Sequence, residues 1–158
     1  MANTLSGFST FSPGTVISSS DMNTNLSGLK NGPTWHKYTV AYTDINAATI
    51  TNDAVLVTLT SDEIVHNVYV KHSTAFAGGS ISNIAAKVGT SATTDRYTTD
   101  FDIDQTVADS AYQLTSVLLK ENTTTALILT VSATGANLDS LTAGEIDVYI
   151  QKSVLPTA

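Results

Sequence analysis

Alternation with a period of two is the feature that most constrains this chain. In Glu145-Ile146-Asp147-Val148-Tyr149-Ile150-Gln151 every second residue is a branched aliphatic and every other one is polar or phenolic. Successive strand side chains point to opposite faces, so this pattern suits a strand with one face in a core and one in water. A helix would smear the same residues around its axis. The pattern predicts Ile146, Val148 and Ile150 inward, with Glu145, Asp147, Tyr149 and Gln151 outward.

The same period recurs from Trp35 onward. It predicts strands over 35–42, 55–59, 64–72, 84–88, 112–120 and 125–133 as well. In the segment Ile64 to His72, Ile64, His66, Val68 and Val70 are expected on one face. In 125–133, Leu127, Leu129 and Val131 are expected to point one way. Asp44 to Ala48 reads as a turn or a short helical turn. Phe76 to Ser80, Gly89 to Thr94 and Thr134 to Asn137 read as loops. Seven or eight short strands, no long helical pattern and no fixed repeat predict an all-β fold: an antiparallel β-sandwich, jelly-roll-like.

Residues 1–33 stand apart. They hold Gly7, Pro13, Gly14, Gly28, Gly32 and Pro33 and no strand alternation. Ser19 or Ser20 can cap a short helix, with Asp21 in its first turn. Met22, Leu26 and Leu29 then share one face. Two turns of helix are marginal alone in water, so this segment needs a partner surface. The expected division is a docking arm over 1–33, extended and containing that helix, and a β-sandwich domain over 34–158.

Charge narrows the function. Hydrophobic residues make up 42% of the 158 and charged ones 13%, about half the usual share for the latter. Surface polarity falls instead to 17 Ser and 26 Thr. Such a surface suits a protein packed among other proteins. The net charge is −7, and the seven Lys and Arg are scattered singly. No basic patch is present to meet phosphates or anionic lipid, so neither nucleic acid nor membrane is an expected partner. No apolar run is long enough to cross a bilayer as a helix, and no signal peptide is recognisable. Cysteine is absent, which removes disulfides, thiol catalysis and thiolate metal sites together.

Candidate chemistry is sparse. Asp100, Asp102 and Asp104 are spaced by two, as in a calcium loop. Such a loop also needs Gly at the sixth place and Glu at the twelfth, where this chain has Gln105 and Ala111. On a strand the three carboxylates share a solvated face, opposite Phe101 and Ile103. An irregular cation site is the sharper alternative. His36, His66 and His72 are the only imidazoles. His66 and His72 would face one side about 20 Å apart, too far to share a metal. Asp62 and Glu63 read as a charged turn rather than a pair of glycosidase acids. No nucleophile elbow, phosphate-binding loop or dinucleotide fingerprint occurs. No catalytic residue, cofactor or metal is expected, and the protein is expected not to be an enzyme. Trp35, the single tryptophan, reads as core or rim packing beside Tyr38 and Tyr42, with a carbohydrate-stacking platform as the alternative.

Three stretches carry a resemblance. Phe11-Ser12-Pro13-Gly14-Thr15-Val16-Ile17 through Asp21-Met22-Asn23-Thr24-Asn25-Leu26 resembles a leader found in structural proteins of tailed bacteriophages, fibres included. Ile64 to Gly79, with its Lys71-His72-Ser73-Thr74-Ala75-Phe76-Ala77-Gly78-Gly79 string, is similar to a β-sandwich module of phage virion proteins. Ala133 to Gly144 continues the likeness. The resemblance implies a virion component on the outer surface of the particle, made in the host cytoplasm, with no catalytic residues. With one sandwich and one arm, it points first to a capsid decoration or cement protein. That protein would bind the major capsid protein or another virion protein as a homotrimer. A tail or head fibre component with a receptor-binding sandwich is the second reading, and a carbohydrate- or cation-binding module the third. The anchoring residues would be Phe8, Phe11, Pro13, Gly14, Val16, Ile17, Met22, Leu26 and Leu29.

Overall fold

A computed structural model describes residues 32–103 and 111–155, with the backbone alone over 111–119. Eight strands follow in order: β1 Thr34–Ala41, β2 Thr51–Leu59, β3 Glu63–Ala77, β4 Asn83–Thr90, β5 Phe101–Asp102, β6 Ala111–Lys120, β7 Thr125–Thr134 and β8 Ala143–Val154. Single 3₁₀ turns at Tyr42–Asp44 and Leu138–Ser140 interrupt the connections.

The strands make two antiparallel sheets of four, ordered β1-β8-β3-β6 and β2-β7-β4-β5. The pairing is nested: β1 with β8, β2 with β7, β3 with β6, β4 with β5. A single long hairpin, rolled so that its pairs fall alternately in the two sheets, gives this order. That is the eight-stranded jelly roll, as the sequence predicts.

The core lies between the sheets. Val40, Val65, Val68, Val70, Ile146, Val148 and Ile150 come from the first sheet. Ala54, Leu59, Ile84, Ala86, Val88, Leu127, Leu129 and Val131 come from the second. The alternation expected of β8 holds residue by residue for its aliphatic set. So does the Leu127, Leu129, Val131 row of β7.

β3 departs from expectation. Val65 pairs with Lys152 and Asn67 with Gln151, so the register shifts at His66. One extra residue in a strand moves everything after it to the other face. Val65 therefore faces inward, as do Val68, Val70 and His72, while Ile64 and His66 leave the expected row and are only half-buried. His66 bonds Ser153 Oγ at 2.8 Å. His72 is fully buried and stacks on Phe76, ring centroids 5.5 Å apart. The two histidines thus do not share a side.

β3 also runs on through Ala77, and β4 through Thr90, where loops were expected. The backbone of Ala77 finds partners in the facing segment: Ala77 pairs with Ala143 and its carbonyl accepts from Thr142 N–H at 2.7 Å. Two stretches that carry the phage resemblance therefore meet at one corner of the fold.

β7 is buried on both faces. Ile128 and Thr130, on its outer side, are buried along with the inner row. Thr130 Oγ1 donates to Asp53 at 2.6 Å. Opposite Ile128 stands Gly89, and a β-carbon there would lie 2.3 Å from the Thr93 carbonyl oxygen. The loop after β4 lies against the sheet at that point. Tyr97 and Thr98 N–H groups tie it down by donating to the Val88 carbonyl at 3.0 and 3.1 Å.

Candidate functional site

The nine expected anchoring residues, Phe8, Phe11, Pro13, Gly14, Val16, Ile17, Met22, Leu26 and Leu29, lie outside the described residues, as does the expected short helix. The described chain starts at one end of the sandwich. There Gly32, Thr34, His36, Glu63, Lys152 and Val154 line a depression of about 250 Å³. The first four residues of β1 are exposed. Tyr38 and Val40 of that strand meet the core. An ion pair closes the floor: Lys152 Nζ contacts Glu63 Oε1. Thr60 N–H donates to Glu63 Oε2 at 2.8 Å and Thr60 Oγ1 donates to it at 3.3 Å. Burial pushes the Glu63 carboxyl up, but the Lys152 ammonium and the Thr60 donors outweigh it and hold the group below its ordinary value.

A second feature occupies the outer face of the β1-β8-β3-β6 sheet. Register places Trp35 beside Gln151 and Gln151 beside Asn67, with Lys37, Tyr149 and Tyr69 forming the next row. Tyr69 and Tyr149 tilt at 59° with centroids 6.0 Å apart. Asn67 Nδ2 donates to Gln151 Oε1 at 2.5 Å. Trp35, Asn67, Tyr69 and Tyr149 line an open depression of about 410 Å³, together with Val68 and Lys71. Trp35 is 52% exposed. It was expected to pack beside Tyr38 and Tyr42. Those two turn toward the core, and the rings that line the depression with Trp35 come from β3 and β8 instead. The outward places of Tyr149 and of Tyr69, between Val68 and Val70, were both legible from alternation; their pairing was not, since it depends on β3 lying beside β8.

Beside this patch Asp147 is buried on the outer face. Lys37 Nζ reaches it at 2.8 Å and Thr39 Oγ1 donates to it at 2.8 Å. The Lys37–Asp147 hydrogen bond raises the Lys37 ammonium above its ordinary value.

The acidic run behaves as a solvated strand face where it is described. Phe101 and Ile103 are buried, Asp100 and Asp102 exposed. Asp100 pairs with Lys87 at 3.5 Å. Asp104 lies outside the described residues. Among the described residues no group of three or more His, Cys, Asp or Glu could hold a metal ion, and no helix is long and apolar enough to cross a membrane.

The fold is shared with chains of two phage capsids. A chain of the cyanophage Pam1 capsid asymmetric unit superposes with a TM-score of 0.57 at 22% identity, over 79% of this chain and 87% of that one. A chain of the capsid of Ralstonia phage GP4 superposes with a TM-score of 0.53 at 12% identity, over 80% of this chain and 86% of that one. No protein-family model matches the sequence and no curated protein matches it. At these identities the likeness defines a class by architecture, an eight-stranded jelly roll.

Proposed function

We propose that this chain is a non-enzymatic structural protein of a bacteriophage particle, and within that class a capsid decoration protein. The observation that carries the reading is the extent of the likeness: the same jelly roll spans 87% and 86% of two chains from phage capsids. The phage-like leader, the low charge and the Ser/Thr-rich surface support it independently. In this reading residues 1–33 anchor the sandwich to the major capsid protein or another shell protein on the outer surface. The assembled form is a homotrimer.

The energetics favour such an anchor. Burying one phenylalanine contributes roughly 1.5–3 kcal/mol, and three copies of Phe8 and Phe11 would act together in a trimer. Ordering the backbone opposes this by about 1–2 kcal/mol per residue, so the apolar side chains must do most of the binding.

The test is co-sedimentation of the full chain with particles that lack it. Phe8→Ala with Phe11→Ala should leave the protein in the supernatant while its melting transition stays in place. Undiminished pelleting of the double variant would rule out the leader as the anchor. Copy number per particle separates decoration from a fibre component: hundreds against a few tens or fewer, by densitometry beside the major capsid protein.

A further inference from the structure

We propose that the outer face of the β1-β8-β3-β6 sheet is a binding site for a neutral saccharide, with Trp35, Tyr69 and Tyr149 as stacking surfaces and Asn67 and Gln151 as the hydroxyl-binding pair. The proposal does not rest on the virion reading.

Aromatic rings carry negative faces, which attract the weakly positive C–H groups on the face of a pyranose ring. Trp35 offers such a face to solvent, 52% exposed on a strand rather than a mobile loop. Tyr69 and Tyr149 line the same depression. Their positions are set by backbone register on three adjacent strands, so the site is ordered before any ligand arrives. The depression of about 410 Å³ falls within the range of roughly 300–1,000 Å³ typical of small-ligand sites.

The polar groups narrow the ligand class. The Asn67–Gln151 bond uses one donor and one acceptor. It leaves the Asn67 carbonyl oxygen as a further acceptor and the Gln151 amino group as a further donor. A hydroxyl both donates and accepts, so vicinal hydroxyls match that pair. Charge argues against an anionic ligand. The chain carries a net −7, and the nearby Lys37 ammonium is engaged by Asp147. Beside Lys71 the lining offers three neutral rings and the Asn67 amide, and a neutral polyhydroxylated ring is the chemistry that complements them.

Trp35 is the only tryptophan, so its emission reports this site alone. The full chain is titrated with dextran, with mannan and with chitotriose. At least one should give a saturable change in Trp35 emission with a millimolar dissociation constant, unchanged by added salt because the ligand is neutral. Tyr149→Ala should weaken it by roughly tenfold, and Gln151→Ala, which removes no ring, should weaken it in the same direction. Val55→Ser, exposed on the other sheet, should leave it unchanged. Flat emission with all three sugars overturns the proposal. So does a response undiminished in both variants, or an emission shift on dilution without sugar, which would mean that a second copy of the chain covers this face.

Discussion

The Phe76 ring stands where a side chain on Gly144 would have to be. A β-carbon at Gly144 would lie 2.1 Å from Phe76 Cδ1, and Gly144 has φ 134°. Both facts demand glycine, one for space and one for backbone conformation. The contact joins the end of β3 to the start of β8. It also places Phe76 in the core beside His72. Gly144→Ala should therefore destabilise by roughly 2–6 kcal/mol, the sum of overpacking and backbone strain. A denaturant midpoint shift worth less than about 0.5 kcal/mol, the scale of an ordinary surface change, would show that the corner can yield. Phe76→Leu in the Gly144→Ala background should recover part of the loss, because the two positions share one space.

Glu63 and Lys152 are both largely withdrawn from solvent, and the Glu63 carboxyl is held below its ordinary 4.5. A depressed carboxyl adds stability that is complete above the unfolded-state value and is lost as pH falls through the folded one. Glu63→Gln should cost about 1–3 kcal/mol at pH 7, since it leaves the Lys152 ammonium without its carboxylate. The gap in melting temperature between parent and variant should close progressively below pH 4.5. An equally wide gap at pH 3 would mean that shape, not charge, makes the contribution.

Tyr97 works at the other end of the titration range. It is buried, and its hydroxyl donates to Glu121 Oε1, which also receives Arg96 Nε. Burial pushes the phenol above its ordinary 10.0, and the Glu121 carboxylate pushes it further. A raised value means that the folded state keeps a proton the unfolded chain releases. The contribution is whole below pH 10.0 and declines as pH rises beyond it. Tyr97→Phe should cost about 0.5–1.5 kcal/mol at neutral pH. The parent's stability should fall faster than the variant's above pH 10.0. Parallel alkaline melting curves for the two proteins would refute the link.

What the residues reveal in advance follows from how local each feature is. The inner row of β8 and the Leu127, Leu129, Val131 row of β7 are set by alternation within single strands, and both were legible. The bulge at His66 is a matter of register against β8 and β6, and no Gly or Pro marks it. Hence the face of Ile64 and His66 was misplaced, whereas Tyr69 stands opposite Val68 and Val70 as alternation predicts, and its meeting with Tyr149 follows from β3 lying beside β8. Arg96 and Glu121 meet because the loop after β4 folds down onto its own sheet. Nothing within either segment signals that. Trp35 shows the same limit: its neighbours depend on strand order, which composition does not encode.

The described sandwich also bears on residues 1–33. β1 begins at Thr34 and pairs with β8 along its whole length, from Thr34 with Lys152 to Ala41 with Glu145. Its inward residues Tyr38 and Val40 meet partners from within the described sandwich, and the described residues give each sheet four strands. The expectation is that a chain starting at Thr34 folds with a single cooperative transition. Its circular dichroism should be that of a β-sandwich, and its melting temperature should lie within a few degrees of the full chain. The same truncated chain should fail to pellet with particles if residues 1–33 are the anchor. Loss of the cooperative transition would put residues 1–33 inside the folding unit, and the open depression around His36 and Val154 would then be the surface they complete.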